Sequence, residues 1–284
     1  MNKSPRELPS LKKLTIPSYL TLTKGVKIKP GGINIKHDYS QVKIDQDNLS
    51  KYKTFLHLKS EIPLSYFYLM AQRAQAALML KKEFTIAIPG LIHVSNKLEQ
   101  INSIDYSIPF DLKTSVTAEF KNEGALVPKF TVEFWQKGIK VMTCLSTYLA
   151  KRKGGMKRTK TKTDFSSIAN PNHSVNWEIP NNLGKAYGRA SGDKNPLHSS
   201  DFFAKLIGFD SSILQGWYGV SRIVKECEEK NNEVYKSIEV DFRSPIFLPS
   251  LQKVEWIKES DTKLAFQITD SNSGKKVMQG ALQK

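Results

Sequence analysis

Apolar positions along this chain fall into two similar series, each a helix-like run followed by alternating strand-like runs. In the second half, Gly216 to Glu229 repeats apolar residues at helical spacing. Alternating runs follow at Val234 to Arg243, Gln252 to Ile257, Lys263 to Thr269 and near Lys276 to Leu282. The first half repeats this order: a helix over Leu64 to Leu80, a strand through Ile92, Val94 and Leu98, then runs Lys113 to Phe120, Lys129 to Trp135 and Lys140 to Leu149. Punctuation matches as well. Ile108-Pro109-Phe110 stands where Leu248-Pro249-Ser250 stands, and Lys140-Val141-Met142 and Lys276-Val277-Met278 both open the last strand. One helix and several alternating strands per half predict an α+β class rather than βαβ units.

Composition narrows the class. A chain of 284 residues with 39% hydrophobic and 25% charged residues is globular and long enough for two domains. No run reaches the roughly 18 apolar residues of a membrane helix, so no membrane insertion is expected. The start, Met1-Asn2-Lys3-Ser4-Pro5-Arg6-Glu7, has no apolar stretch behind it. Cys144 and Cys227 are too few for a disulfide framework and lack metal-ligand spacing. Both read as small buried residues, and the expected location is the cytoplasm.

The net charge of +16 suits a polyanionic partner, but no zinc-finger spacing, aromatic RNA-binding signature or basic zipper accompanies it, so no specific nucleic acid is expected. Seven of the thirteen residues from Lys151 to Thr163 are basic and two are glycine, which reads as a solvated linker. The predicted division is therefore 1–150, a basic linker 151–165, and 166–284.

The densest chemistry lies in Ser191-Gly192-Asp193-Lys194-Asn195-Pro196-Leu197-His198. Asn195 is a good N-cap and Pro196 suits the first helical position. The pattern predicts a helix from there through Phe202, Phe203, Leu206 and Ile207, ending at Gly208. His198 would then occupy the first turn, where the helix dipole disfavours imidazolium. A neutral imidazole near an aspartate is what general-base catalysis requires. His37, His57, His93 and His173 have no such acid nearby in a motif and read as structural, with His93 beside Gly90 the one of interest. Ser191 and Ser221 lack a G-x-S-x-G elbow.

This eight-residue run, with Gly208-Phe209 and Gly216 after it, closely resembles the MaoC-like (R)-specific enoyl-thioester hydratases and dehydratases. The family pattern is roughly S-G-D-x-N-P-[IL]-H, a helix, G-F, and a loop ending in H-G-[ML]. Here the last element is Gln215-Gly216-Trp217, with Gln in place of the usual His. The resemblance implies a double hot-dog fold, two antiparallel sheets each wrapping a long central helix. It implies that Asp193 and His198 hold and deprotonate one water, that Asn195 supports them, and that the Gly216 backbone N–H faces the thioester oxygen. Gln215 and Trp217 flank that donor and are candidate substrate contacts.

The first half resembles the amino-terminal module of double-hot-dog dehydratases through Gly90-Leu91-Ile92-His93-Val94-Ser95-Asn96, but has no Asp-x-Asn-Pro-x-His string. It reads as a degenerate copy, a scaffold or a holder of the acyl chain. Ala74 and Ala77 on its apolar helix are candidate tail contacts, and a plain core helix explains the same pattern. The reaction implied is reversible hydration of trans-2-enoyl thioesters to (R)-3-hydroxyacyl thioesters. No cofactor or metal is expected, the substrate being carried on coenzyme A or on the phosphopantetheine of an acyl carrier protein. The chain is expected as a monomeric pseudo-dimer or a homodimer. The alternatives are a hot-dog thioesterase and a non-catalytic acyl-thioester-binding subunit.

Overall fold

A computed structural model describes residues 7–21, 32–118, 126–150 and 165–284. The expected linker, 151–165, lies outside these apart from its last residue. The chain divides into two compact units, Met1–Leu49 with Tyr66–Thr161, and Ser50–Ser65 with Lys162–Lys284. The described residues of the first contain helices α1 (Leu11–Leu20) and α3 (Tyr66–Met79) and strands β1 (Ile33–Val42), β2 (Leu91–Gln100), β3 (Phe110–Ala118), β4 (Lys129–Gln136) and β5 (Ile139–Ala150). Helix α2 (Gln46–Leu56) crosses the boundary between units. The second contains β6 (His173–Ile179), α4 (Leu183–Ser191), α5 (Asp201–Leu206), α6 (Gly216–Asn231), β7 (Ser237–Phe242), β8 (Ser250–Lys258), β9 (Lys263–Asp270) and β10 (Lys276–Gln283).

Among the described residues each unit has five antiparallel strands in one order. The first runs β1-β3-β4-β5-β2 and the second, read the same way, β6-β8-β9-β10-β7. The two orders superpose strand for strand, so the repeat expected from the sequence is a repeat of topology. Pro109 and Pro249 each stand directly before the second strand after the long helix. Strands β1 and β6 add a member to each half that the sequence reading left out.

Alternation builds the strands. In β3, Phe110, Leu112, Thr114, Val116 and Ala118 are buried on one face while their neighbours reach outward. Helix α3 packs on this face, and Phe67 meets Phe110 and Phe134 edge-on at 5.8 and 5.7 Å. In the second unit α6 buries Val220, Ile223, Val224 and Cys227. A β-carbon on Gly219 would stand 3.0 Å from Met278 Cε and 3.7 Å from Ile268 Cδ1, which places the helix over β9 and β10. Cys144 and Cys227 are both buried, and burial pushes the Cys144 thiol up to about 11, as suits small core residues.

Residues 50–65 belong to the second unit. Tyr52 is fully buried there, with its hydroxyl bonded to Ser221 Oγ at 2.5 Å and to Ser65 Oγ at 3.0 Å. Trp217 Nε1–H donates to the Ser65 carbonyl at 2.8 Å. Phe55 packs against Tyr187 and Tyr218. These contacts hold the segment between β1 and α3 on the later half of the chain.

The core of the first unit holds a polar network. Gln75 Nε2 and Asn96 Nδ2 both donate to Ser146 Oγ, at 2.8 and 2.7 Å, and Tyr148 Oη donates to Gln75 Oε1 at 3.3 Å. His93 lies between Tyr68 and Tyr148, its ring stacked at 5.8 and 4.6 Å from theirs. Burial lowers the His93 pKa from 6.5 to about 3. The folded state therefore refuses a proton that the unfolded chain binds below pH 6.5. Its contribution to stability is complete above 6.5 and declines as the pH falls towards 3, at up to about 1.4 kcal/mol per pH unit. Thermal melts of wild type and His93→Phe from pH 7.5 to 4 check this: the variant's melting temperature should depend less steeply on pH. Parallel curves would contradict it. A second expectation concerns Gly280 in β10, where a β-carbon would lie 2.2 Å from Glu239 O and 2.6 Å from Phe266 Cζ. Gly280→Ala should cost about 2–4 kcal/mol in a urea titration, because a paired backbone has to move.

Candidate active site

Helix α4 ends where the candidate chemistry begins. Gly192 caps it in the left-handed region at φ 87°, with its N–H on the Gly188 carbonyl at 3.1 Å. Ser191 Oγ donates to Tyr187 O at 2.9 Å and accepts the Asp193 N–H at 3.2 Å. Asp193 leaves the helix in a fixed direction as a result. Its Oδ1 accepts the Asn195 N–H at 3.3 Å, and Asn195 Oδ1 accepts the Leu197 N–H at 3.1 Å.

The expected helix from Pro196 to Gly208 is broken in two. Pro196–His198 form a 3-10 turn capped by Asn195, closed by Ser199 N–H on the Pro196 carbonyl at 3.0 Å. Ser200 is extended, and α5 starts afresh at Asp201. The first residue of α5 has a partner outside the helix. Asp201 Oδ1 accepts both the Ser212 N–H, at 2.8 Å, and the Ser212 hydroxyl, at 2.7 Å, and these bonds hold its carboxyl below the usual carboxylate range. His198 is thus not in the first turn of an α-helix, and the dipole argument for its neutrality falls away.

A backbone carbonyl orients the imidazole instead. His198 Nδ1 lies 2.7 Å from Ile213 O, and a carbonyl only accepts, so Nδ1 carries the proton. In the neutral ring the lone pair then resides on Nε2. Ile213 also donates its N–H to Leu197 O at 3.2 Å, so one residue holds the turn through main chain and side chain together.

Two glycines let α4 lie against this turn. A β-carbon on Gly184 would stand 2.0 Å from His198 O, and one on Gly188 2.6 Å from Asp193 O. The loop 211–215 then runs into α6. Leu214 N–H donates to Ile246 O at 2.8 Å, and Gln215 becomes the N-cap. Gly216 is the first residue of α6, where a helix leaves its N–H groups without intrahelical partners. Its missing side chain admits the Phe242 ring, which a β-carbon would meet at 2.8 Å.

Asp193, Asn195 and His198 therefore share one turn, all partly buried, and that turn is laced to the residues leading into Gly216. Gln215 is buried, and its amide donates to the carbonyls of Gly184 and Asp193. Trp217 is buried with its indole N–H on Ser65. Ala74 and Ala77 lie on α3 of the first unit, Ala74 fully buried and Ala77 partly so. Sequence reasoning missed the roles of Ile213, Asp201, Gly184 and Gly188. The glycine pair at i and i+4 was a visible signal of close approach, while the Ile213 carbonyl had none. An imidazole whose Nδ1–H is committed can take a proton at Nε2, and N–H groups at a helix start such as that of α6 suit a developing oxyanion.

Comparison with known proteins bears on the family and the fold. Residues 169–281 match the model of the MaoC like domain. Over 115 residues the chain is 30% identical to the peroxisomal multifunctional enzyme type 2 of Drosophila melanogaster, a stretch covering 39% of this chain and only 19% of that protein. It is 23% identical over 215 residues to 3-hydroxyacyl-thioester dehydratase X of Mycobacterium tuberculosis, covering 74% of this chain and 75% of that one. The crystal structure of HtdX of Mycobacterium tuberculosis superposes with a TM-score of 0.68 at 19% identity, over 87% of this chain and 99% of the other. A MaoC-like dehydratase from Phytophthora capsici gives 0.64 at 18% identity, over 89% and 96%. The described fold and these matches converge: residues 169–281 of this chain match the MaoC-like domain, and the chain shares the hot-dog fold of the MaoC-like dehydratases.

Proposed function

We propose that the chain is a hydro-lyase that interconverts trans-2-enoyl thioesters and (R)-3-hydroxyacyl thioesters, carried on coenzyme A or on an acyl carrier protein. The observation that carries the reading is the turn Asp193–His198, in which the acid is anchored by Asn195 N–H and the imidazole presents Nε2 because Ile213 holds Nδ1. The relatives named as a 3-hydroxyacyl-thioester dehydratase and a peroxisomal multifunctional enzyme support the reaction class.

In the hydration direction, Asp193 and His198 Nε2 hold one water over C3 of the enoyl group. A proton leaves that water as its oxygen bonds C3, and a proton is returned to C2. Negative charge develops meanwhile on the thioester oxygen, which faces the Gly216 N–H and the positive end of α6. Dehydration runs the same steps backwards. The chain's own residues supply every proton transfer, with no cofactor. The second unit carries this chemistry. The first, lacking an Asp-x-Asn-Pro-x-His string, serves as scaffold or acyl-chain holder, giving one active site per chain in a double hot-dog whose sheets each wrap a long helix.

Turnover of enoyl-coenzyme A substrates, followed by loss of enoyl-thioester absorbance and by chiral analysis of the product, tests the reading. Asp193→Asn and His198→Ala should each lower kcat by roughly 10²–10⁴-fold. The double variant should lose far less than the product of the two, since both groups act on one water. Near-normal turnover in either single variant, or an (S) product, would overturn the assignment.

A further inference from the structure

Gln215 stands where two backbone segments and a helix meet. It caps α6, it precedes the proposed oxyanion donor Gly216, and only 4% of it is exposed. Its Nε2 lies 3.1 Å from Gly184 O and 3.1 Å from Asp193 O, so both amide hydrogens are committed to carbonyls. Those acceptors also fix which end of the amide is nitrogen, because the flipped side chain would set oxygen against two oxygens. Oε1 is buried without a hydrogen-bond partner among the described residues. The space around the amide is as tight as the bonding: a β-carbon on Gly188 would touch Nε2 at 3.4 Å as well as Asp193 O at 2.6 Å.

The geometry points to Gln215 as a positioning residue that fixes the backbone of Asp193 against the N-terminus of α6, so that the base and the oxyanion donor keep one separation. This rests on the hydro-lyase reading and extends it. The side chain does not touch the reacting atoms. It acts through the two carbonyls, which lie on either side of α4: Gly184 near its start and Asp193 just beyond its end. A single side chain does this only if it offers two donors from one atom. An amide does so and does not titrate. A neutral imidazole offers one N–H, and a carboxylate none.

The test uses the full chain and two near-isosteric variants. Gln215→Met removes both donors at similar volume, and kcat should fall about 10–100-fold while KM stays within about threefold, as expected when reacting groups are displaced by fractions of an ångström. Gln215→Glu turns an ionised carboxylate against two carbonyls at neutral pH, and its protonated form restores one donor. Its activity relative to wild type should therefore rise as the pH falls, whereas the Gln215→Met ratio should stay flat. A side chain that only fills space would leave both ratios flat and near one, and that result overturns the proposal. Hydrogen exchange provides a readout independent of turnover. In Gln215→Met, amides of 193–198 and 216–218 should exchange faster while those of 222–228 keep their protection. Uniform acceleration along α6, or no change, overturns the positioning role. A wild type inactive on every enoyl thioester tested defeats the hydro-lyase reading instead, and the exchange experiment still decides whether Gln215 holds these two segments together.

Discussion

The candidate site depends on how closely helix α4 can approach the turn that follows it. Gly184 and Gly188 lie one turn apart on the same face of that helix, and the carbonyls of His198 and Asp193 stand where their β-carbons would be. Any side chain at either position would displace backbone rather than a flexible tip. With the approach made, a short list of bonds follows from it. Ser191 bridges the helix to Asp193, Asn195 caps the 3-10 turn, and Gln215 reaches both carbonyls. The motif Ser-Gly-Asp-x-Asn-Pro-x-His is thus mostly a description of a turn: Asp193 and His198 carry the proposed proton transfers, and the others place them.

Much of this was legible in the sequence. Strand periodicity placed eight of the ten described strands to within a few residues, because alternating apolar positions mark strands such as β3 and β4, whose buried face carries Phe, Leu and Val. The matching prolines and lysines revealed the repeat. Strands β1 and β6 were passed over, although Ile33 and Ile35 in one and Val175, Trp177 and Ile179 in the other do alternate. Both are edge members of their five-strand arrays, where outward positions are polar and the apolar signal thins.

The local error at Pro196 has a physical lesson. The apolar spacing of Phe202, Phe203 and Leu206 is real, but Phe202 and Leu206 are among the exposed large side chains, so the spacing did not mark a buried face. Nor does the spacing reveal the partner at the break: Ser200 is extended, and Asp201 bonds Ser212 eleven residues on. The bond that orients His198 was equally unreadable, since Ile213 contributes a carbonyl, which every residue has. Sequence exposes side-chain chemistry well and main-chain chemistry hardly at all.

The excursion of residues 50–65 into the second unit bears on how this chain is made. Ser65 accepts the Trp217 indole across 152 residues, and Tyr52 meets Ser221 across 169. Both partners lie on α6, so during synthesis the early segment emerges and waits, its aromatic side chains uncovered, until that helix has been translated. Loop closure on this scale is slow compared with local pairing, and it leaves an apolar strip open to wrong associations in the meantime. The region matched as a MaoC-like domain, 169–281, therefore leaves part of its own unit behind: without residues 50–65 it lacks the Tyr52, Phe55 and Ser65 contacts that cover Trp217, Tyr187 and Ser221.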